Sequence, residues 1–286
     1  MEFWINQAFN GISYAALLFL LGGGFTLIFG VMKIVNIAHG SFYLVGGYIG
    51  YTVVSLTGNF YLALLVACCV IAVLGMVMER VFLRDVVGQD LRQMLITMGI
   101  ALFLQDLSLV IWGGNPLNLS VPAYLSKSVN VGNLYFPVLR AFMIGAAGLL
   151  FVLLWWFQEK TKVGAMVRAA VDNGEMAEGL GINVPLVTLG VFGLGALLAG
   201  FGGVVGCAFM GIYPGLDFEL LPYAFVVVII GGMGSLKGAF VGSLLVGLID
   251  NFGKALFPEL SLFTLFAPMA IILAIRPKGL FGKMEE

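Results

Sequence analysis

The feature that most constrains the fold is a series of nine apolar runs that follow one another along most of the chain. Their bounds are 8–31, 39–56, 60–82, 93–112, 138–157, 185–211, 221–233, 238–255 and 261–276. Only 10% of the 286 residues are charged, whereas a soluble domain usually carries about 25%. A stretch of roughly 20 apolar residues can cross a bilayer as one helix. The sequence therefore predicts an all-α, polytopic transmembrane helix bundle that forms a single domain over residues 1–286.

Two of the runs, 221–233 and 238–255, are short and are separated by a glycine cluster. Gly231, Gly232 and Gly234 form this cluster, and glycine-interrupted short segments are typical of broken helices near a transport site. The pair is expected either to cross the membrane twice or to form a re-entrant hairpin. These alternatives give nine or seven crossings.

The positions of the basic residues predict the orientation in the membrane. Three groups of basic residues lie between or after the apolar runs: Arg80, Arg84 and Arg92; Lys160, Lys162 and Arg168; and Arg276, Lys278 and Lys283. The long loop 113–137 has only Lys127. Cytoplasmic loops carry an excess of Lys and Arg, so the N-terminus is expected outside and the C-terminus in the cytoplasm.

The titratable residues argue against an enzyme. His39 is the only histidine, and Cys68, Cys69 and Cys207 lie inside apolar runs, where a free cysteine behaves as a small hydrophobe. No spacing suits a metal site. The net charge of −1 indicates no acidic or basic partner, and no nucleic acid is expected.

Several polar groups within or beside the apolar runs are candidates for a translocation pathway. Asn36, His39, Gly40 and Ser41 stand at the start of the second run, and Gln105 and Asp106 lie in the fourth. Polar groups within a membrane usually face a cavity or the bundle interior. The alternative for the first group is a capped helix junction. For Asp106, and for Asp250 in the eighth run, pairing with another group is favoured.

A faint internal repeat is also present. The tetrapeptide His39–Phe42 resembles Lys237–Phe240, and both follow a glycine-containing helix end. Transporters often contain internal repeats, with the site at the repeat interface. Chance similarity in a glycine-rich sequence is the alternative.

The longest polar segment, about 158–184, is predicted to contain two short helices. Residues 165–170 suit one helix and 173–180 a second, with Gly181 as the C-terminal stop. Two short amphipathic helices on the cytoplasmic face suit docking to another protein. The alternative is a solvated connector between two spans.

The pattern of residues in this segment resembles a known motif. Gly164, Arg168, Ala169, Asn173, Ala177 and Gly181–Asn183 are similar to the coupling loop in membrane subunits of ATP-binding-cassette (ABC) importers for branched-chain amino acids. Three further stretches resemble the same family in the same order. They are Thr26–Gly40, Leu95–Gly113 and Gly231–Gly238. The chain length fits the shorter of the family's two permeases.

This resemblance implies a five-part importer in a bacterial inner membrane. Two related permeases would form the pore, two cytoplasmic ATPases would drive it, and an external binding protein would deliver substrate. The chain has no phosphate-binding loop of the Gly-x-x-x-x-Gly-Lys-Ser/Thr type, so ATP and Mg²⁺ are expected on the partners. The residues expected to couple to the ATPase are Gly164, Arg168, Ala169, Asp172, Asn173, Glu175, Glu178 and Gly181.

The substrate expected from the resemblance is a branched-chain or other hydrophobic amino acid. Related permeases for urea, amides or small organic acids are the alternative within the family. A secondary transporter is the alternative from another class, but it would require buried ionisable relays across several helices, and few such residues are present.

Overall fold

The computed structural model describes residues 2–33, 35–131 and 134–282. Within these residues it contains eleven α-helices. They are α1 (Glu2–Met32), α2 (Ala38–Thr57), α3 (Phe60–Met78), α4 (Asp90–Trp112), α5 (Val138–Lys160), α6 (Lys162–Asp172), α7 (Gly174–Gly179), α8 (Val184–Met210), α9 (Leu216–Gly231), α10 (Leu236–Leu256) and α11 (Ser261–Ile275). Short π-helical and 3-10 turns, Glu79–Leu83 and Arg84–Val86, extend α3, and Pro258–Leu260 precedes α11.

Each of the nine apolar runs corresponds to one helix, so the prediction of a polytopic helical bundle is confirmed. In the described part of the chain, six helices are long and apolar enough to cross a membrane: α1, α3 with its extension, α4, α5, α8 and α10. The chain is thus a multi-pass membrane protein. The run 238–255, expected to be short, belongs to the 21-residue α10, which starts early because Ser235 caps it by accepting a hydrogen bond from the Gly238 amide at 3.1 Å.

The core of the bundle is built around α1, α2 and α8. In α1, 83% of the most apolar window is buried, whereas the corresponding share in α5 is 17%. Helix α1 packs along α10, α8 and α9, and α8 also packs on α2 and α3. Helices α4 and α5 therefore present most of their apolar surface to the surroundings.

Glycines allow α2 and α8 to cross at close range. A Cβ atom added to Gly46 would lie 2.7 Å from the Cα of Gly200, and one added to Gly203 would collide with the backbone oxygen of Tyr43. Small residues that let backbones approach are a common packing device in membranes.

The bundle has two recognisable ends. At the first, called the α1-start end, the Trp4 ring of α1 lies 5.8 Å from the Phe252 ring of α10. A two-stranded antiparallel hairpin, β1 (Ser128–Val131) and β2 (Leu134–Pro137), also lies there, with Phe136 4.9 Å from Phe9. The sequence predicts a loop over 113–137, so this hairpin is an addition to the predicted fold.

The opposite end of the bundle, called the α6–α7 end, carries α6, α7 and the turn between α9 and α10. A Cβ atom added to Gly30, near the end of α1, would lie 3.2 Å from the Cα of Gly234 in this turn. The C-terminal segment is held on the same turn, because the amides of Leu280 and Phe281 donate hydrogen bonds to the oxygens of Ile230 and Gly231 at 2.9 and 3.0 Å. The basic residue Lys283 lies outside the described residues.

Candidate functional site

The first turn of α2 forms a buried polar junction with two other helices. His39 Nε2–H donates to the backbone oxygen of Leu21 in α1 at 2.9 Å. The Ser41 hydroxyl donates to Asp217 Oδ2 in α9 at 2.7 Å. A Cβ atom added to Gly40 would lie 2.8 Å from the backbone oxygen of Asp217. Three of the predicted pathway residues thus lie at one three-helix junction.

Helices α2 and α4 run parallel, with a constant offset along the chain. Ile37 pairs with Thr97 at 3.4 Å, Ser41 with the Ala101 oxygen at 3.4 Å, and Trp112 with Thr52 at 2.8 Å, each pair being 60 residues apart. Ala38, the first residue of α2, is therefore level with Met98, about 12 Å beyond the start of α4 at a rise of 1.5 Å per residue. The N-terminus of α2 thus lies inside the bundle.

The segment before α2 is non-helical at this depth. Lys33 has a positive φ of 54°, and Asn36 is fully buried. Neither polar side-chain atom of Asn36 has a hydrogen-bond partner among the residues that the structure describes. No side chain caps α2, but the His39 amide donates a hydrogen bond to the backbone oxygen of Asn36 at 3.2 Å, so a junction satisfied by its own backbone stays an alternative at this helix start. Non-helical backbone at membrane depth is tolerated where it is buried in protein or lines a cavity.

The other predicted pathway residues are not gathered at this junction. The Gln105 amide nitrogen lies 3.7 Å from the Cβ position of Gly215, just before α9, so it is close to the junction. Asp106, however, is exposed on α4. Gly231, Gly232 and Gly234 form the turn at the α6–α7 end, where the positive φ values of Gly232 and Gly234, 100° and 81°, require glycine.

Asp217 is a junction residue that the sequence analysis missed. It is 2% exposed, but it lies between two apolar runs, after Pro214 and Gly215, and so reads as part of a loop. An acidic residue near the start of an apolar run often marks the first turn of a helix, and this signal could have placed Asp217 in α9. Asp250 is paired, because Lys254 Nζ lies 2.7 Å from its Oδ2, but the partner is on the same helix and not on another one.

The segment 158–184 folds into the two predicted helices, α6 and α7. The Thr161 hydroxyl accepts a hydrogen bond from the Gly164 amide at 3.0 Å, and Asn173 Oδ1 accepts one from the Met176 amide at 2.9 Å. These are N-cap interactions. Gly181 has a positive φ of 86° and ends the second helix as expected.

The predicted coupling residues divide into an exposed set and an anchoring set. The exposed residues are Arg168, Asp172, Asn173, Glu175, Glu178 and Gly181, and Ala169 is half-buried. Gly164 is buried, and a Cβ atom there would collide with the backbone oxygens of Phe157 and Gln158 at the end of α5. Helix α6 is therefore seated tightly on α5, and its Arg168 side chain is exposed.

Comparisons with known proteins agree with this architecture. Residues 7–274 match the family described as the permease component of the branched-chain amino acid transport system. The chain is 27% identical to the high-affinity branched-chain amino acid transport system permease protein LivH of Escherichia coli K12, and the match covers 99% of this chain and 97% of LivH.

More distant relatives follow. The corresponding protein BraD of Pseudomonas aeruginosa is 26% identical, with coverage of 99% and 97%. The ribose import permease protein RbsC of E. coli K12 is 24% identical, with coverage of 95% and 84%. No solved structure gives a significant match. Since the family matches nearly the whole chain, this protein belongs to the family of branched-chain amino acid transport system permease components.

Proposed function

We propose that this chain is a permease subunit of an ABC importer and forms half of the translocation pathway for branched-chain or other apolar amino acids. Family membership over residues 7–274 supports the transport role. The observation that carries the ABC assignment is the exposed helix pair α6–α7 between two long helices. The chain itself is a transport subunit, and ATP hydrolysis is assigned to two cytoplasmic partner subunits.

The orientation proposed here places the α6–α7 end in the cytoplasm of a bacterial cell, with the permease in the inner membrane. Most basic residues of the helix ends and loops lie towards this end: Lys33, Arg80, Arg84, Arg92, Lys160, Lys162, Arg168, Lys237, Arg276 and Lys278. The opposite end has Lys127, Arg140 and Lys254. This asymmetry follows the positive-inside rule and supports the proposal of an N-terminus outside and a C-terminus inside.

Helices α6 and α7 have the form of a docking element that can pass motion into the bundle. The exposed side offers Arg168, Glu175 and Glu178 together with the apolar side chains of Met176 and Leu180, which are 66% and 78% exposed. The opposite side of α6 packs on α5, α8 and α1. A rigid-body displacement of the pair by an ATPase subunit would therefore act directly on three helices of the bundle.

The start of α2 is the proposed point of substrate passage. A helix N-terminus carries unpaired N–H groups and a partial positive charge, and broken helices in transporters direct such ends at anionic substrate groups. Asn36, His39 and Ser41 supply polar groups at this depth. A second, related permease is proposed to complete the pathway, and an external binding protein to deliver the substrate.

The coupling assignment is tested by uptake in proteoliposomes that contain the complete importer. Arg168→Ala and Glu175→Ala are expected to abolish ATP-driven leucine uptake while membrane insertion stays normal. Lys127→Ala, a charge removal in the loop at the other end, is the matched control and should transport like the wild type. Wild-type rates in both α6–α7 variants would refute the assignment, and transport of urea or acetamide instead of leucine would refute the substrate class.

A further inference from the structure

A second polar site lies at the α1-start end, away from the α2 junction. It is a cavity of about 420 Å³, within the range of roughly 300–1,000 Å³ that is usual for small-molecule sites. Residues of helices α1, α5, α8 and α10 line it. Its lining combines charged groups with an apolar wall: Arg140, Phe209, Met210, Asp250, Lys254 and Ala255.

The acidic group of this cavity is Asp250, which is 3% exposed. Its Oδ2 accepts a hydrogen bond from Lys254 Nζ at 2.7 Å, and the same ammonium lies 5.7 and 5.5 Å from the ring centroids of Tyr14 and Tyr223. Its other oxygen, Oδ1, has no partner within the described ranges of the chain. A buried carboxylate oxygen without a donor is costly, so a ligand ammonium group that reached Oδ1 would supply a hydrogen bond that this atom lacks.

The basic group on another wall is Arg140, at the start of α5. Its guanidinium carbon lies 5.3 Å from the ring centroid of Phe209, which fixes the plane of the group by a cation–π contact. No carboxylate pairs with Arg140 in the described structure. A stacked guanidinium with free N–H groups is well suited to bind a carboxylate in a bidentate manner.

The cavity offers the guanidinium of Arg140 to a carboxylate and the Oδ1 atom of Asp250 to an ammonium group, and a zwitterion can use both. Because Lys254 already neutralises Asp250, the ammonium would be held by a hydrogen bond to Oδ1 rather than by a free negative charge. The remaining wall, formed by Phe209, Met210 and Ala255, offers apolar surface. A ligand with a carboxylate, an ammonium group and an apolar part fits these walls, and a small α-amino acid with an apolar side chain has all three.

We propose that this cavity is an outer binding site for an apolar α-amino acid, with the ammonium on Asp250 Oδ1, the carboxylate on Arg140 and the side chain against Phe209 and Met210. The proposal rests on the function and orientation proposed above, which place this end outside. It adds a site at which the permease itself recognises the substrate after release from the binding protein.

The test is equilibrium binding of radiolabelled L-leucine to the intact permease complex in lipid nanodiscs without the external binding protein. Two analogues compete: 4-methylpentanoate, which lacks the amino group, and 3-methylbutylamine, which lacks the carboxylate. Asp250→Asn is expected to weaken leucine binding at least tenfold and to abolish competition by the amine but not by the acid. Arg140→Gln should show the opposite pattern, and Arg140→Lys should restore part of it.

Controls are Lys127→Gln and Glu259→Gln, which change exposed charges at the same end, outside the cavity, and should bind leucine like the wild type. Each cavity variant is expected to lose competition by one analogue only. This result distinguishes recognition from a folding defect, because a misfolded variant would lose competition by both analogues. The proposed site would be wrong if each cavity variant lost competition by both analogues equally, or if both variants kept the wild-type affinity for leucine. It would also be wrong if the wild type showed no saturable leucine binding at millimolar concentration. ATP-driven uptake by the wild type would still uphold the proposed function in each of these cases.

Discussion

The Ser41 hydroxyl lies 2.7 Å from Asp217 Oδ2, and this hydrogen bond joins the first turns of two helices that are 176 residues apart in the chain. Both residues are almost completely buried. The contact fixes the start of α9 on the start of α2, at the depth where α2 begins inside the bundle. A serine in the first turn of α2 and an aspartate in the first turn of α9 thus form a single polar junction in the fold.

Ser41→Ala removes the donor and leaves a second oxygen of Asp217 without a partner. A buried polar group left unsatisfied costs about 1–3 kcal/mol, so thermal unfolding of the purified protein in detergent should shift to lower temperature. Ser55→Ala, an exposed position on the same helix, is the control and should unfold like the wild type. Equal unfolding temperatures for both variants would contradict the importance of the junction.

Gly203→Ala tests the close crossing of α2 and α8. The added methyl group collides with the backbone oxygen of Tyr43, and because backbone cannot move aside cheaply, overpacking of about 1–3 kcal/mol is expected. Gly190→Ala lies on the same helix with no atom within 4 Å of the added Cβ. The yield of monodisperse protein and its unfolding temperature should fall only for the first variant.

Gly164→Ala tests the seating of α6 on α5. The methyl group would collide with the Phe157 and Gln158 oxygens, which displaces α6 and therefore breaks the proposed transmission of motion. We expect ATP hydrolysis by the complex to continue while ATP-driven uptake falls at least tenfold. Gly148→Ala, on α5 with open space around the added Cβ, should keep the wild-type ratio of uptake to hydrolysis. Full uptake by Gly164→Ala would show that this seating is not needed.

The proposed orientation predicts opposite accessibility for two exposed positions. In a background with Cys68, Cys69 and Cys207 replaced by Ala, Lys127→Cys should react with a membrane-impermeant maleimide added to intact spheroplasts. Glu178→Cys should react only after the membrane is opened. The reverse pattern would invert the topology without altering the fold.

The helices were predictable from the sequence because each one is encoded locally. A spanning segment must satisfy its own backbone groups and be apolar over its whole length, so the nine runs already mark α1–α5 and α8–α11. The caps at Thr161 and Asn173 and the stop at Gly181 are equally local, although only the Gly181 stop was used to predict the short helices.

The packing of the helices was not predictable in the same way. Lipid tails are as apolar as leucine side chains, so hydropathy does not distinguish the buried α1 from the largely exposed α5. The Ser41–Asp217 contact and the cavity between Arg140 and Asp250 join residues far apart in the chain. Asp217 read as a loop residue, and Asp106 was expected to face a cavity or to pair with another helix although it is exposed, because helix orientation is set by tertiary contacts.

The most direct measurement of the proposed transport role is leucine accumulation in proteoliposomes that contain this chain, its partner permease, the two ATPase subunits and the external binding protein. We predict accumulation against a gradient that requires internal ATP, external binding protein and this chain, and that stops when any one of the three is left out. Equal leucine uptake by this chain alone, without ATP or partners, would contradict an ATP-driven permease subunit and indicate a self-sufficient transporter.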